Sequence, residues 1–166
     1  MQPKAPIENS LQELQRLYDS AVDASHKTYY SKLALLELCG WLEDNFDDIL
    51  LTFCSSRISA KANQEYLSKT IIDRTHGCSY ADHFRHMLIR VIGLINTEKL
   101  ESSLDGTGEL SAMSARLWNL WCMRKKPAHS STVWTMPTLD SPTIIIDNLN
   151  YIYPVLVKIE LGLGSF

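Results

Sequence analysis

Residues 29–54 read YYSKLALLELCGWLEDNFDDILLTFC, and this stretch decides the fold. Its apolar positions Leu33, Leu36, Trp41, Leu42, Phe46, Ile49, Leu50 and Phe53 keep a helical rhythm over about seven turns, a spacing that gathers side chains on one side of an α-helix. The acidic residues Glu37, Glu43, Asp44, Asp47 and Asp48 are expected on the opposite, solvated flank, and Gly40 permits close approach of a neighbouring helix.

On the N-terminal side, Ser10 followed by Glu13 has the form of a capping box, which predicts a first helix from Ser10 to near Ser25 and a flexible N-terminus over 1–9. Leu11, Leu14, Leu17, Tyr18, Ala21 and Val22 then share one face. On the C-terminal side, 60–73 reads as a weaker helix. Ser79 and Asp82 form another capping pair, opening a helix to about Ile95 whose buried stripe is Phe84, Met87, Leu88, Val91 and Ile95. Asp105-Gly106-Thr107-Gly108 is a turn, after which Leu110, Met113, Leu117, Leu120 and Trp121 mark a helix toward Arg124.

Residues 130–142 read as a loop, with Ser141 and Pro142 suited to the N-cap and first helical positions. Beyond them Val155, Val157, Ile159 and Leu161 alternate as in a strand, and Pro154 interrupts a straight helix. A kinked helix is expected all the same, because a lone strand would leave its backbone unpaired. The expectation is an all-α, up-down bundle of about five to six helices forming one domain over 10–163.

Composition agrees with a folded globular chain: 45% of the 166 residues are apolar and 21% charged. No apolar run reaches the ~18 residues of a membrane span, and Met1-Gln2-Pro3-Lys4 lacks the apolar core of a signal peptide. Cys39, Cys54, Cys78 and Cys122 are scattered without a CxxC pair and read as buried thiols in a reducing compartment. The expected location is the cytoplasm, with no membrane partner.

The net charge of −3 excludes coating of nucleic acid by bulk positive charge, so any RNA contact has to be local. The absence of a GxSxG elbow or a glycine-rich phosphate loop makes serine-hydrolase and nucleotide-kinase readings poor. His76, Cys78, Asp82, His83 and His86 cluster at one helix entry, but their spacing matches no standard zinc motif. His86 and Arg90 are most simply solvent-facing and Cys78 a small core residue, and no metal or cofactor is expected.

The most informative stretch for chemistry is Arg124-Lys125-Lys126-Pro127-Ala128-His129, three permanent cations and an imidazole at a helix end. In an unbroken helix Arg124 and His129 would lie about 140° apart around the axis. Pro127 is expected to turn the chain and bring His129 back toward Arg124. Such a pair suits cleavage of RNA by its own 2′-hydroxyl, the imidazole moving the proton and the guanidinium holding the phosphate, with no metal required. The plainer alternative is that the cations cap the helix C-terminus and His129 sits in an exposed turn. Trp118, Trp121 and Trp134 around the run fit either base stacking or core packing.

An arginine followed within four to six residues by a histidine, set among long helices that include Leu35-Leu36-Glu37-Leu38-Cys39-Gly40-Trp41, resembles the HEPN superfamily over roughly 29–163. The resemblance implies a helical bundle, usually dimeric. Its active members are metal-independent ribonucleases whose two motifs meet across the dimer interface, of the toxin and antiviral-defence kind. It carries Arg124 and His129 over as catalytic residues, sets Lys125 and Lys126 beside them as RNA-binding, and implies a supporting acid on an earlier helix, Glu37 or Glu43. The implied partners are RNA, a second copy of the chain, and a cognate antitoxin or other protein. Two further readings stand beside it: a HEPN-like module that binds without cutting, and an unrelated helical adaptor.

Overall fold

The computed structural model describes residues 1–125 and 139–166, and within them every regular element is helical. The six helices are α1 (Lys4–Ser20), α2 (Ala24–Ser55), α3 (Lys61–Tyr66), α4 (Arg85–Asp105), α5 (Glu109–Lys125) and α6 (Pro142–Leu163). Among the described residues no helix is long and apolar enough to cross a membrane. The all-α expectation is thus met.

The long helix α2 is the centre of the bundle, packing on α1, α5 and α6. Because it has neighbours on several sides, its buried set is broader than one stripe: Leu35, Leu38, Cys39, Leu42, Phe46, Ile49 and Leu50 are inaccessible, whereas Leu33, expected inside, is exposed. Phe46 stacks on Phe84 with 4.3 Å between ring centroids and 5° between planes, a large apolar contact of favourable geometry. The other side of the bundle is closed by Met113, Leu117 and Leu120 of α5 and by Ile145, Leu149, Ile152, Leu156 and Ile159 of α6.

Several helix ends differ from expectation for identifiable reasons. Helix α1 begins at Lys4, so Ser10 is an interior residue and not a cap. Pro6 occupies the first turn, where its missing N–H has no helical acceptor to lose. The first nine residues, read as a flexible arm, accordingly carry the start of α1 with Ile7 buried, and the Gln2 N–H donates to Oδ1 of the buried Asn45 at 2.8 Å. The chain breaks at 21–23, and Asp23 caps α2 by accepting the Ser25 N–H at 3.0 Å.

The segment after α3 widens into π-helical turns, the Asp73 N–H reaching back five residues to the Ser68 carbonyl at 2.8 Å. A second wide turn over Tyr80–Phe84 leads into α4, with the Phe84 N–H on the Ser79 carbonyl. Such turns shift the register of a helix and recur at functional sites.

The helix that the second wide turn opens ends, close to the expected Ile95, at Gly93, whose φ of 80° and ψ of 160° are not helical; a second helical run of α4 then continues to Asp105, placed so that the Arg85 Nε–H donates to Oε1 of Glu101 at 2.7 Å. The Asn96 amide donates to the Ile92 carbonyl at 3.0 Å and the Thr97 hydroxyl to the Gly93 carbonyl at 2.9 Å, so carbonyls freed by the break find side-chain donors. Past the break the face rotates, which leaves Ile95, expected in the core, 72% exposed. Cys122 is likewise exposed, unlike the other three cysteines.

Ser141 and Pro142 take the N-cap and first helical positions of α6 as expected, although no side-chain bond from Ser141 caps it. The helix continues through Pro154, which is exposed, as is Asn150, whose carbonyl loses the proline's absent N–H. Water can meet that carbonyl at the surface, so the proline is tolerated.

The backbone at Gly93 is essentially restricted to glycine, although a Cβ there would meet no atom within 4 Å. Gly93→Ala is therefore expected to lower the unfolding free energy by about 1–3 kcal/mol through backbone strain alone. The measurement is a fall in urea midpoint with an unchanged slope.

Candidate functional site

Arg124 lies in the last turn of α5, four residues beyond the buried Leu120 and hence on the inner edge of the same helix. A cation is favoured at this end by the helix dipole. Its side chain turns toward α2 and donates from Nη1 to Oε1 of Glu43, an ion pair in which each side chain is 24% exposed. Burial alone pulls the guanidinium pKa down; the hydrogen bond and charge of Glu43 outweigh it, and the net shift is upward. Arg124 is thus a fixed cation, bonded among the described residues through one donor of its fork to Glu43.

The pair sits beside two thiols. Cys39, one turn before Glu43, and Cys78, before the second wide turn, are both inaccessible, and the Cys39 thiol donates to the Leu120 carbonyl at 4.0 Å; the neighbouring Cys78 thiol also bears on Cys39. Cys78 and burial push the Cys39 thiol far above its ordinary pKa, so it is a packed, unreactive group.

The aromatic rings of α5 carry the other cation. The Lys125 Nζ stands 5.5 Å from the Trp118 ring centre and 5.2 Å from that of Trp121, and the Arg124 guanidinium lies 5.9 Å from the latter. These are cation–π distances. Trp118 is 46% exposed and Trp121 only partly buried, so neither is a plain core residue.

On its other contact Trp121 meets His83, edge to face, with ring centres 4.8 Å apart. The expected capping pair is half present: the Ser79 hydroxyl accepts the Asp82 N–H at 3.3 Å, but the Ser79 N–H goes to Nδ1 of His83 at 3.2 Å. With Nδ1 accepting, the ring proton is assigned to Nε2. Burial holds the His83 pKa below its ordinary value. Gly77, at φ 143°, makes room for the ring, since a Cβ there would come within 2.4 Å of Cε1 and Nε2.

Of the two acids expected to support the arginine, it is Glu43 that reaches it. Glu37 is exposed and lines a shallow cleft between α1 and α2 with Pro6, Ser10 and Asp44. The flank expected to be wholly solvated is therefore divided, with Glu43 paired and Asp47 half-buried. Lys126, Pro127, His129 and Trp134 lie outside the described residues. Of the proposed metal ligands, Cys78 is in the core, while His76, Asp82, His83 and His86 line a cleft; no three His, Cys, Asp or Glu among the described residues converge as a metal site would require. Sequence reasoning weighed His83 only as a metal ligand and missed its place between Gly77 and Trp121.

Comparison of the chain with protein-family models, curated proteins and solved structures finds no match.

Gly77→Ala is expected to destabilise the fold by about 1–3 kcal/mol, from backbone strain and displacement of the His83 ring. Adding His83→Ala should restore part of the loss, because the colliding ring is gone; urea melts of the single and double variants form the cycle that reads it.

Asp47 gives a second test. Its carboxyl is pushed up to about 6, first by burial and then by Asp44, Asp48 and Glu43, with His76 opposing. A folded pKa above the unfolded value means a contribution present below about pH 4 and lost as pH rises through about 6. Asp47→Asn should accordingly be more stable than wild type at pH 7 to 8, with the advantage disappearing at acid pH in parallel denaturation curves.

Proposed function

We propose that this chain is a metal-independent endoribonuclease of HEPN-like design, acting as a homodimer of the toxin or antiviral-defence kind. The observation that supports it most is the Glu43–Arg124 pair at the end of α5, flanked by Lys125 and by exposed indole surface on Trp118. It supplies on an acidic chain the local combination of held cation and stacking surface that RNA binding needs.

In this reading Glu43 orients Arg124, whose remaining N–H groups hold the scissile phosphate, while Lys125 and Lys126 take neighbouring phosphates. His129 removes the proton of the 2′-hydroxyl. The O2′–P bond forms, the P–O5′ bond breaks, and a 2′,3′-cyclic phosphate remains as O5′ receives a proton. A twofold dimer brings two copies of His129 to one groove, so that one acts as base and the other as acid. Negative charge building on the phosphate is met by Arg124, whose pairing with Glu43 removes the need to reorganise during reaction.

A second reading, a module that binds RNA or a partner protein such as an antitoxin without cutting, is favoured by two features. The charge of Arg124 is already answered by Glu43, and Lys125 stands where active members of the family usually carry a small polar residue.

The test is incubation of the purified chain with mixed RNA in excess chelator. Cleavage is expected from the wild type, with a fall of about 10²–10⁴-fold in Arg124→Ala and in His129→Ala. Intact RNA retained by the protein would support the second reading. RNA neither cut nor bound would overturn both.

A further inference from the structure

Across the Trp121–His83 contact from Arg124 lies a cleft of about 460 Å³ in which basic side chains converge. Arg74 and His76 reach it from the connection after the first wide turn, His83 and His86 from the entry to α4, and Arg90 from one turn farther along. Asp82 is the carboxylate in its lining. Two guanidiniums against one carboxylate leave the lining positive, a local reversal of sign on a chain of net charge −3.

Three features make this more than a solvated face. Among the described residues neither Arg74 nor Arg90 has a carboxylate within ion-pair distance, and Arg90 donates one Nη1–H to the Thr70 carbonyl at 3.4 Å. His83 is held from three sides by the Ser79 N–H, the Trp121 ring and the bare backbone of Gly77, which fixes the ring at the edge of the cleft. The basic groups also come from two places in the chain, Arg74 and His76 from the connection after the first wide turn and His83, His86 and Arg90 from the second wide turn and the helix it opens, brought together by the fold itself.

We propose that this cleft binds the tetrahedral oxyanion of a phosphate group. Guanidinium forks and imidazole N–H groups are the donors that such an anion takes in charge-assisted bonds. The space accommodates a phosphate with the sugar it esterifies. The proposal stands on this geometry and does not depend on RNA being cut. Its source is either a nucleic-acid strand or a free phosphate compound.

Binding strengthens as the pH falls. The charged groups facing the imidazoles are Asp82, Glu43 and His86 at His83, and Asp47 of α2 at His76. Asp47, pushed up to about 6, loses its negative charge as the pH falls from 8 to 6, which favours the anion.

The experiment is titration of the whole chain with sodium sulfate, whose charge is constant from pH 6 to 8, followed by the ring signals of the histidines in heteronuclear NMR. The expected result is saturable movement of the His76, His83 and His86 signals, tighter by about fivefold at pH 6 than at pH 8. It should weaken by about tenfold or more in a folded Arg74→Ser, Arg90→Ser double variant, which corresponds to ~1.4 kcal/mol. Competition then separates the sources: displacement of sulfate by an uncleavable 2′-O-methyl oligonucleotide assigns the strand, and displacement by pyrophosphate alone assigns the free compound. No saturable movement, or movement unchanged in the double variant, overturns the proposal. Because Arg74 and Arg90 are remote in role from Arg124, loss of RNA cleavage with sulfate binding intact, or the reverse, tells which of the two readings has failed.

Discussion

The stack of Phe46 on Phe84 is the contact on which the rest depends. Phe46 lies three residues after Glu43 on α2, and Phe84 directly follows His83 at the entry to α4, so the face-to-face rings fix how these two polar groups stand to one another. Trp121 on α5 then bridges them through its edge contact with His83 and the nearby Arg124 guanidinium. An apolar contact near the middle of the bundle thereby sets the geometry of a charged region at its edge. Dense packing transmits position in this way because side chains in a core have little room to readjust.

The electrostatic character of that region is a tension and not a simple complement. Carboxylates of α2, namely Glu43, Asp44, Asp47 and Asp48, crowd one flank of the helix, and the raised pKa of Asp47 reflects first its burial and then this crowding. Arg124 relieves Glu43 and His76 partly relieves Asp47.

The helical class and most helix positions were legible because they rest on local periodicity: Trp41, Leu42, Phe46, Ile49 and Leu50 of the expected stripe are all buried, although the pattern of its first part points to Leu33 and Leu36 where the chain buries Leu35 and Leu38. The misplaced features have non-local or backbone causes. Pro6 reads as a breaker until it is seen in a first turn; the break at Gly93 leaves the apolar pattern running on, so Ile95 looked like core. The wide turns around Ser68 and Ser79 have no periodic signature of their own. In the site, Arg124 stood out as part of a cationic run, but choosing Glu43 over Glu37 required the packing of α2 on α5, across a separation of 81 residues. His83 was visible only as a candidate ligand, since nothing in a sequence announces that a glycine six residues earlier vacates space for its ring.

The interruption at Gly93 also divides α4 energetically. Its N-terminal part is anchored by Met87 and Leu88 in the core, whereas the part beyond presents Leu94 and Ile95 to solvent and is fastened by Thr97, Leu100 and the Glu101 carboxylate, which accepts from Arg85 and from the Tyr80 hydroxyl. Helical cooperativity is carried by consecutive backbone bonds, and a residue outside the helical basin interrupts it. Fraying that starts at the Asp105 end therefore meets a backbone boundary at Gly93 before it reaches His86 and Arg90, and what couples the two parts across that boundary is the Glu101 carboxylate on Arg85 and Tyr80.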